Sequence, residues 1–340
     1  MNWRKIAGPT LGVALSVLFL WFALYRVQLD QVLDALRAAD YRLVALAVLC
    51  TFSSYVFRTL RWGRFLLPQK RIPISRLYPV LVIGFALNNI FPGRPGEFAR
   101  AISLGQREGL PKTLGLATIV VERVMDGLTL IAIFAIISLG FDLPGWGRNA
   151  ELVSIAIFLV ALAALVLLLW RQQWAAAILG RVVRFLPSRL GDRLSRMFES
   201  FVLGLHALRS PRDVLAISSY SLGAWLCEAA HYFLILSAFG ILPSLRERAL
   251  GAAFVLVIVN LSIAIPAAPG GVGAFEWAGR LALGVFGVVA ERAIPAVLVA
   301  HTVQYLLVTG LGVLFTAREG VRLTQAVESA ERTRIESGSA

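Results

Sequence analysis

An apolar stretch of this chain is broken by a short element that combines proline, glycine and charged side chains. It reads NNIFPGRPGEFAR over residues 88–100. Glycine and proline end helices, because glycine lacks a side chain and proline lacks a backbone N–H. A helix that begins near residue 96 would point its positive end into the break, and Arg94 would add a bidentate donor for phosphate. The element therefore predicts an anion site. In the alternative interpretation, its arginines only pair with Glu97 and Glu122 to hold the chain together.

A second element of the same kind reads IPAAPGGVGAFE over residues 265–276. Its glycines allow close backbone approach and a tight turn. It also places a glutamate, Glu276, just after its last glycine, and Arg280 follows as an i, i+4 partner. Two Gly/Pro-interrupted segments at matching positions in two halves of a membrane protein indicate a central binding site. The predicted turn and hinge positions are Pro92, Gly93, Gly96, Pro269, Gly270, Gly271 and Gly273.

Three charged residues, Glu122, Arg123 and Asp126, interrupt the apolar helix predicted over 113–140. Glu122 and Asp126 are four residues apart, so they share one helix face. Charges inside a membrane span are costly and usually face a bundle interior or a water-filled cavity. Two interpretations stay open: these residues take part in binding, or they neutralise arginines and only fix the fold.

Histidines within apolar segments are candidates for proton transfer. Glu228 and His231 are three residues apart on the helix predicted over 213–240, and His301 lies in a later helix. Di-iron bundles use Glu-x-x-His pairs, but the sequence lacks a second pair, so we expect neither metal nor cofactor. An embedded histidine can relay protons, although a buried, hydrogen-bonded histidine is the commoner case. The candidate relay residues are His301, Glu228 and His231.

The candidate residues for binding an anionic group lie in the two elements or in the helix that follows the first. They are Asn89, Arg94, Glu97, Arg100, Glu122, Arg123, Asp126 and Glu276. A different role is predicted for Arg58, Arg61 and Trp62, which end the span predicted over 43–62. Basic and aromatic residues at a span end are typical interfacial anchors, so we expect anchoring first and contact with a lipid headgroup second.

The composition defines the class of protein. The chain has 340 residues, of which 58% are hydrophobic and only 16% are charged, and its mean hydropathy is +0.75. Soluble domains carry about a quarter charged residues, so this is an integral membrane protein. The net charge of +13 fits basic cytoplasmic loops, and nucleic-acid binding is not indicated. The sequence contains no Walker, Rossmann or hydrolase motif, and its two cysteines form no disulfide framework.

The apolar segments predict an all-α polytopic membrane protein with six to eight transmembrane helices. They lie at about 6–25, 43–62, 77–91, 113–140, 151–170, 213–240, 249–265 and 291–317. The first has full span length and no cleavage site after it, so we expect it to be retained. The segments 77–91 and 249–265 run straight into the Pro-Gly elements. The first of these two covers only about 22 Å, less than the hydrocarbon core of about 30 Å.

Loop charges decide between two topologies. If all eight segments cross, the loop at 171–212 lies outside with its eight arginines, against the positive-inside rule. If 77–91 and 249–265 instead turn back at their Pro-Gly elements, the basic loops and both termini lie in the cytoplasm. We prefer this six-crossing topology. Its re-entrant hairpins, over about 77–107 and 249–286, enter from opposite sides as an inverted repeat; eight crossings remain the alternative.

The domain organisation is simple. We expect one transmembrane domain over 1–318 and a polar, frayed cytoplasmic tail over 319–340. Within the domain, 173–210 reads as a cytoplasmic amphipathic connector, with apolar residues at helical spacing and arginines between them. Such a helix can lie on an anionic membrane surface. A solvated connector between two halves is the alternative.

The two elements and the helix after the first resemble a known family. The segments NNIFPGRPGEFARA, ATIVVERVMDG and AIPAAPGGVGAFEWA, in this order, are similar to the flippase-like transmembrane domain of bacterial lysylphosphatidylglycerol synthetases, especially its stand-alone members. The resemblance covers about 5–318. It implies a flippase-like protein of the bacterial cytoplasmic membrane. In the best-known relative, a separate soluble domain makes the aminoacylated lipid that this domain translocates; we expect the present chain to lack that synthase domain.

The resemblance implies transport, without enzymatic activity, of an anionic or aminoacylated phospholipid or a polyprenyl-phosphate-linked lipid between leaflets. The arginines of the first element would hold the phosphate, while nearby carboxylates would balance charge or bind an amine. The second element would act as a wall or gate. Two other classes stay open: an intramembrane enzyme of lipid or glycolipid modification, and a membrane scaffold for envelope-biosynthesis enzymes. The expected partners are membrane lipids.

Overall fold

The structure is a computed structural model. It describes residues 17–25, 27–91, 94–140, 145–170, 172–184, 210–263 and 269–338, with single residues between 191 and 202. Pro92 and Gly93 of the first Pro-Gly element lie outside the described residues, as do 264–268 of the second. Most of the predicted connector beyond residue 184 is also outside them.

Every regular element within these ranges is helical. In chain order the helices are α1 (17–24), α2 (Leu29–Ala38), α3 (Tyr41–Leu66), α4 (Ile74–Ile90), α5 (Pro95–Glu108), α6 (Lys112–Gly140), α7 (Gly145–Trp170), α8 (Gln172–Val183), α9 (Pro211–Ala238), α10 (Leu245–Ile263), α11 (Ala274–Gly284) and α12 (Ala290–Gly338), with a 3-10 turn at Pro269–Gly271 before α11. Each predicted segment from 43–62 onward is a helix. The backbone of α12 is helical to Gly338, through most of the polar tail predicted over 319–340.

Helix lengths separate long elements from short ones. By length and apolar composition, Tyr41–Leu66 and the Ala290–Arg318 part of α12 can each cross a membrane, and Ile74–Ile90 is a shorter apolar helix. At 1.5 Å per residue α4 is about 26 Å long, and α5 and α11 are shorter still. Two pairs of helices, α4 with α5 and α10 with α11, are each joined by a Pro-Gly element.

The first pair folds back on itself through a close approach of two backbones. Gly84 of α4 faces Gly96 of α5, and a Cβ on Gly96 would overlap the carbonyl oxygen of Gly84. The backbone N–H of Gly96 donates to Oδ1 of Asn88 at 2.8 Å, so one donor at the start of α5 is satisfied from α4. The sequence therefore needs glycine here for packing rather than for an unusual backbone conformation. We call α4 and α5 the first hairpin, and α10 and α11 the second hairpin.

Replacing Gly96 by alanine is expected to destabilise the protein by about 2–3 kcal/mol, because the new methyl group meets backbone that no rotamer change can move away. Thermal unfolding of the purified protein in detergent measures the effect. Gly310→Ala is the matched control, since a Cβ at this helical glycine meets no atom of the described residues within 4 Å. Equal, small shifts for the two variants would contradict the close packing of α4 on α5.

The helix contacts of the two halves correspond to each other. In the first half, α4 packs on α5, α5 on α6 and α3 on α4; in the second half, α10 packs on α11, α11 on α12 and α9 on α10. Across the halves, α4 contacts α12 and α6 contacts α10, while α3 and α9 form an extensive interface. Two structurally equivalent halves, each built as a long helix, a hairpin and a long helix, would produce this pattern. The arrangement brings both hairpins and the charged helix α6 together.

Candidate functional site

A small cavity lies where the first hairpin meets α6. Its lining residues are Phe85, Asn88, Glu97, Arg100 and Arg123. Its volume is about 10 Å³, which is roughly the space that one water molecule requires. Two arginines and a glutamate, contributed by α5 and α6, thus line one cavity. The cavity is too small for a phosphate group in this conformation. We call it the charged cavity.

Arg94 stands at the start of α5, next to the charged cavity, in an uncommon backbone conformation. Its φ of 54° and ψ of 50° lie in the left-handed region, which favours glycine. Such strain persists where the surroundings impose it, and it is concentrated at functional sites. The exposed Arg94 side chain donates from Nη2 to the carbonyl oxygen of Ile263 at 3.1 Å. One arginine therefore connects the break in the first hairpin to the end of α10.

Arg100 is buried and only partly satisfied. Its Nη2 donates to Oε2 of Glu122 at 2.9 Å, and its guanidinium lies 4.3 Å from the ring centroid of Trp62. Arg123 pairs with Asp126 at 3.1 Å. The Nε atoms of both arginines are buried without a hydrogen-bond partner among the described residues. Because buried donors are nearly always paired, a water or a ligand group would have to supply the acceptors for these two.

The predicted pairing of Arg100 with Glu122 is thus present, but the predicted interfacial anchors are wrong. Arg61 and Trp62 are 0% exposed, and Arg58 is 7% exposed. They are buried because α3 continues to Leu66 and packs against α9, which places them inside the bundle. The continued apolar residues after Trp62 were the signal that could have shown this.

Arg58 and Arg61 extend the charges of the cavity into the protein interior. Nη1 of Arg61 donates to Oδ1 of Asp126 at 2.6 Å, and also to Ser221 at 3.0 Å. Nη1 of Arg58 lies 3.6 Å from Oδ2 of Asp126, and its Nη2 lies 3.5 Å from Glu228. A network of alternating charges therefore runs from α5 through α6 and α3 to α9.

Glu228 and His231 are held by different partners. Glu228 accepts from Ser54 at 3.0 Å and from Nε2 of Gln304 at 3.1 Å. His231 lies with Nδ1 3.0 Å from the hydroxyl of Thr51. Both residues are buried in the interface of α3 and α9, and they belong to the packing of the two halves.

The second hairpin uses its glutamate differently from the way the sequence predicts. Oε2 of Glu276 accepts from the backbone N–H of Gly273 at 2.6 Å, and Oε1 lies 2.6 Å from Nδ1 of His301. The predicted Glu276–Arg280 pair is wrong, because Arg280 instead donates to carbonyl oxygens at the end of α1, including that of Ala23 at 2.7 Å. Helix capping and His301 leave Glu276 no oxygen for Arg280.

His301 closes the second hairpin from α12. Its Nε2 lies 3.0 Å from the carbonyl oxygen of Gly270, and its ring stacks on Phe275 with centroids 4.1 Å apart and planes 11° apart. Both ring nitrogens face acceptors, so only the protonated imidazolium can donate to both at once. The ring holds the 3-10 turn against the start of α11.

Replacing His301 by phenylalanine is expected to destabilise the protein by about 2–3 kcal/mol. The ring stacking is kept, but the buried Glu276 carboxylate and the Gly270 carbonyl lose their partner. Unfolding in detergent measures the change. In the control variant Tyr305→Phe, only a 3.5 Å bond to the carbonyl of Asn89 is removed, and less than about 1 kcal/mol should be lost. Equal losses would show that His301 does not hold the turn.

Matching positions in the two hairpins and in the helices that follow them carry a glutamate and a basic side chain, but with different contacts. Glu97 and Glu276 are each the third residue of the helix after the break. Arg123 and His301 are each the twelfth residue of the next helix. In the second half the pair is in direct contact at 2.6 Å, whereas in the first half the two side chains line the charged cavity. The first half is therefore the one in which the glutamate and the basic side chain border a cavity.

The structure separates the predicted binding residues into two groups. Glu97, Arg100 and Arg123 line the charged cavity, and Glu122 and Asp126 contact two of these lining residues. Arg94 lies within electrostatic range of Glu97 and Arg123. Glu276 is engaged in the second hairpin, and Asn89 binds Thr309 at 3.1 Å with its side chain. The neighbouring Asn88 lines the cavity instead. Sequence reasoning missed Asn88 and Phe85.

A larger groove, with a volume of about 560 Å³, shares no lining residue with the charged cavity. It is lined by aromatic residues of α1, α7 and α11, including Trp146 and Trp277, and by Arg280. Because Arg280 is occupied by carbonyl oxygens of α1, the groove offers an apolar wall rather than a charged site.

Fold and site together define a class: an all-α membrane protein with broken helices around a charged interior. Comparison with known proteins identifies the family. Residues 10–312 match the lysylphosphatidylglycerol synthase TM region, and the chain belongs to that family. The family expected from the two Pro-Gly elements is thus confirmed, and with it a location in a membrane.

Similar proteins come from several archaea. A UPF0104 membrane protein of Methanothermobacter thermautotrophicus is 28% identical, and the match covers 82% of this chain and 86% of that protein. UPF0104 membrane protein MJ1595 of Methanocaldococcus jannaschii is 23% identical, over 91% of this chain and 94% of its own length. Glycosyltransferase AglD of Haloferax volcanii is 26% identical over 95% of this chain, but the match covers only 56% of AglD.

Proposed function

We propose that this protein binds the phosphate headgroup of a membrane lipid in the charged cavity and moves the lipid between leaflets. One observation carries the proposal: Arg100 and Arg123 line a cavity at a broken helix and keep buried Nε donors without partners in the described structure. Phosphate oxygens are strong acceptors, and arginine binds them with paired N–H groups. A headgroup would therefore supply the missing acceptors, while its acyl chains stay in the bilayer.

Arg94 would be the first group to meet the headgroup. Its side chain is exposed, whereas Arg100 is 3% exposed. Entry requires the break to open, because the cavity has room for about one water molecule. Breaking the bond from Arg94 to the carbonyl of Ile263 would release the first hairpin from α10. The described conformation is thus a closed state in this proposal.

Transport would proceed by alternating exposure of the cavity to the two leaflets. The proposed topology has six crossings, with the first and second hairpins re-entering from opposite sides as an inverted repeat and both termini in the cytoplasm. The short helices and the corresponding contacts of the two halves support this arrangement. A change in the protonation of His301 beside Glu276 is the proposed coupling step, with Glu228 and His231 as further candidates.

The test of this function is lipid translocation in liposomes. Purified protein is reconstituted with a fluorescent phosphatidylglycerol, and the fraction accessible to an external quencher is followed with time. Arg94→Ala should slow translocation at least tenfold, or about 1.4 kcal/mol. Arg37→Ala is the matched control, because it removes the same charge from an exposed pair with Asp34. Equal rates for the wild type and a folded Arg94→Ala protein would refute the proposed site.

A second candidate function is favoured by one observation. A relative named glycosyltransferase AglD matches nearly all of this chain, although 56% coverage leaves much of AglD outside the match. An intramembrane enzyme of glycolipid synthesis would convert a labelled polyprenyl-phosphate sugar without any added protein. Formation of such a product by the purified chain would replace transport as the leading function.

A further inference from the structure

The charges around the cavity do not balance. Five arginines and four carboxylates are in contact or in electrostatic range of one another, which leaves one positive charge among the described residues. The residues are Arg58, Arg61, Arg94, Arg100 and Arg123, against Glu97, Glu122, Asp126 and Glu228. The four other arginines are matched by the four carboxylates, so the excess charge is that of Arg94, whose side chain is exposed. An anion that reaches the cavity would neutralise this charge.

The carboxylates of the network are already occupied by arginines. Glu122 is bound by Arg100 at 2.9 Å and lies 3.9 Å from Arg61. Asp126 contacts Arg61 at 2.6 Å and Arg123 at 3.1 Å. These carboxylates lie behind the arginines that line the cavity, so they neutralise protein charge and offer little to a ligand.

Glu228 is occupied in the same way and lies at the far end of the network. Its two oxygens accept hydrogen bonds from Ser54 and Gln304, and Nη2 of Arg58 lies 3.5 Å from Oε1. Only Glu97 brings a carboxylate to the cavity wall. An ammonium group that entered the cavity would meet this one carboxylate together with two lining arginines and Arg94 at the rim.

From this balance we infer that the cavity selects lipids whose headgroup is a phosphate without an ammonium group. The inference rests on the proposed function and names its substrate class. A headgroup with a net negative charge neutralises the excess positive charge. A zwitterionic headgroup leaves the excess in place, and a lysylated headgroup, with two amines and one phosphate, adds to it. The chain is therefore expected to reject the kind of lipid after which its family is named.

Binding of lipids with identical acyl chains tests the inference. Purified protein in detergent is titrated with dioctanoyl forms of phosphatidic acid, phosphatidylglycerol, phosphatidylethanolamine and lysylphosphatidylglycerol, and with inorganic phosphate. The two anionic lipids should bind at least tenfold more tightly than the two amine-bearing lipids. Inorganic phosphate should bind more weakly than either anionic lipid, since the acyl chains add apolar contacts.

Two variants change the balance in opposite directions. Glu97→Gln raises the excess positive charge, so it should widen the preference for anionic lipids. Arg94→Glu reverses the net charge, so it should favour lysylphosphatidylglycerol. Because Arg94 is exposed, we expect this variant to fold, and its melting temperature shows whether it does.

A wild-type protein that binds lysylphosphatidylglycerol as tightly as phosphatidylglycerol overturns the inference while the proposed function stands. Binding of none of the four lipids overturns both, and inorganic phosphate that binds as tightly as the anionic lipids overturns the lipid assignment.

Discussion

Replacing Arg61 by methionine is expected to destabilise the protein by about 3–5 kcal/mol, because it leaves the buried Asp126 without its closest partner. Arg61 is 0% exposed, and its guanidinium lies 2.6 Å from Asp126 and 3.9 Å from Glu122. Neither carboxylate can reach water without unpacking α3 from α6 and α9. Unfolding in detergent, followed by circular dichroism against temperature and denaturant, measures the loss.

The same helix contains a control for this variant. Arg64 lies one turn further along α3 and pairs with Asp213, and the Arg64 side chain is 40% exposed. Arg64→Met should therefore lose less than about 1 kcal/mol. If Arg61→Met were no more destabilising than Arg64→Met, the charged network would not contribute to the fold as described.

Removing Arg100 should slow lipid translocation at least tenfold, but the single variant Arg100→Met also leaves Glu122, which is 1% exposed, with only the more distant Arg61 at 3.9 Å as an ion-pair partner among the described residues. The double variant Arg100→Met/Glu122→Met removes both charges and keeps the charge balance of the network. We expect the double variant to be at least about 1.5 kcal/mol more stable than Arg100→Met alone. Translocation should stay at least tenfold below the wild type in both, because the phosphate donor is missing.

The comparison separates the structural role of Arg100 from its role in binding. Melting temperature reports the first role and the translocation rate reports the second. Recovery of both in the double variant would mean that Arg100 serves only to neutralise Glu122. Recovery of stability alone is the result that supports a headgroup site.

Much of the architecture follows from local sequence. Apolar length predicts the long helices, and proline with glycine predicts the two breaks, because these effects act within a few residues. The cluster around Glu122 and Asp126 was also predictable, since charged residues in an apolar helix usually face the bundle interior or a water-filled cavity. The matching positions of Glu97 and Glu276 in their helices were visible in the sequence, since each glutamate follows the last glycine of its element.

The contacts across elements were not predictable in the same way. Arg61 was expected at an interface because its apolar segment was judged to end at Trp62, whereas α3 runs to Leu66. Which of Asn88 and Asn89 lines the cavity depends on how α4 packs on α5, where Gly84 approaches Gly96 and Asn88 accepts from the N–H of Gly96. The i, i+4 spacing predicted an ion pair between Arg280 and Glu276. In the structure the Glu276 carboxylate instead accepts from the N–H of Gly273 and contacts His301. Such choices are made by tertiary packing.

Photo-crosslinking tests the central claim, a headgroup in the charged cavity, most directly. A phosphatidic acid analogue with a photoreactive group on its headgroup is reconstituted with the protein, irradiated, and mapped by mass spectrometry. The account predicts crosslinks to Phe85, Asn88 and the start of α5, reduced by Arg94→Ala and by Arg100→Met/Glu122→Met but not by Arg37→Ala. Headgroup crosslinks confined to the aromatic groove at Trp146 and Trp277, and unchanged in those variants, would contradict it.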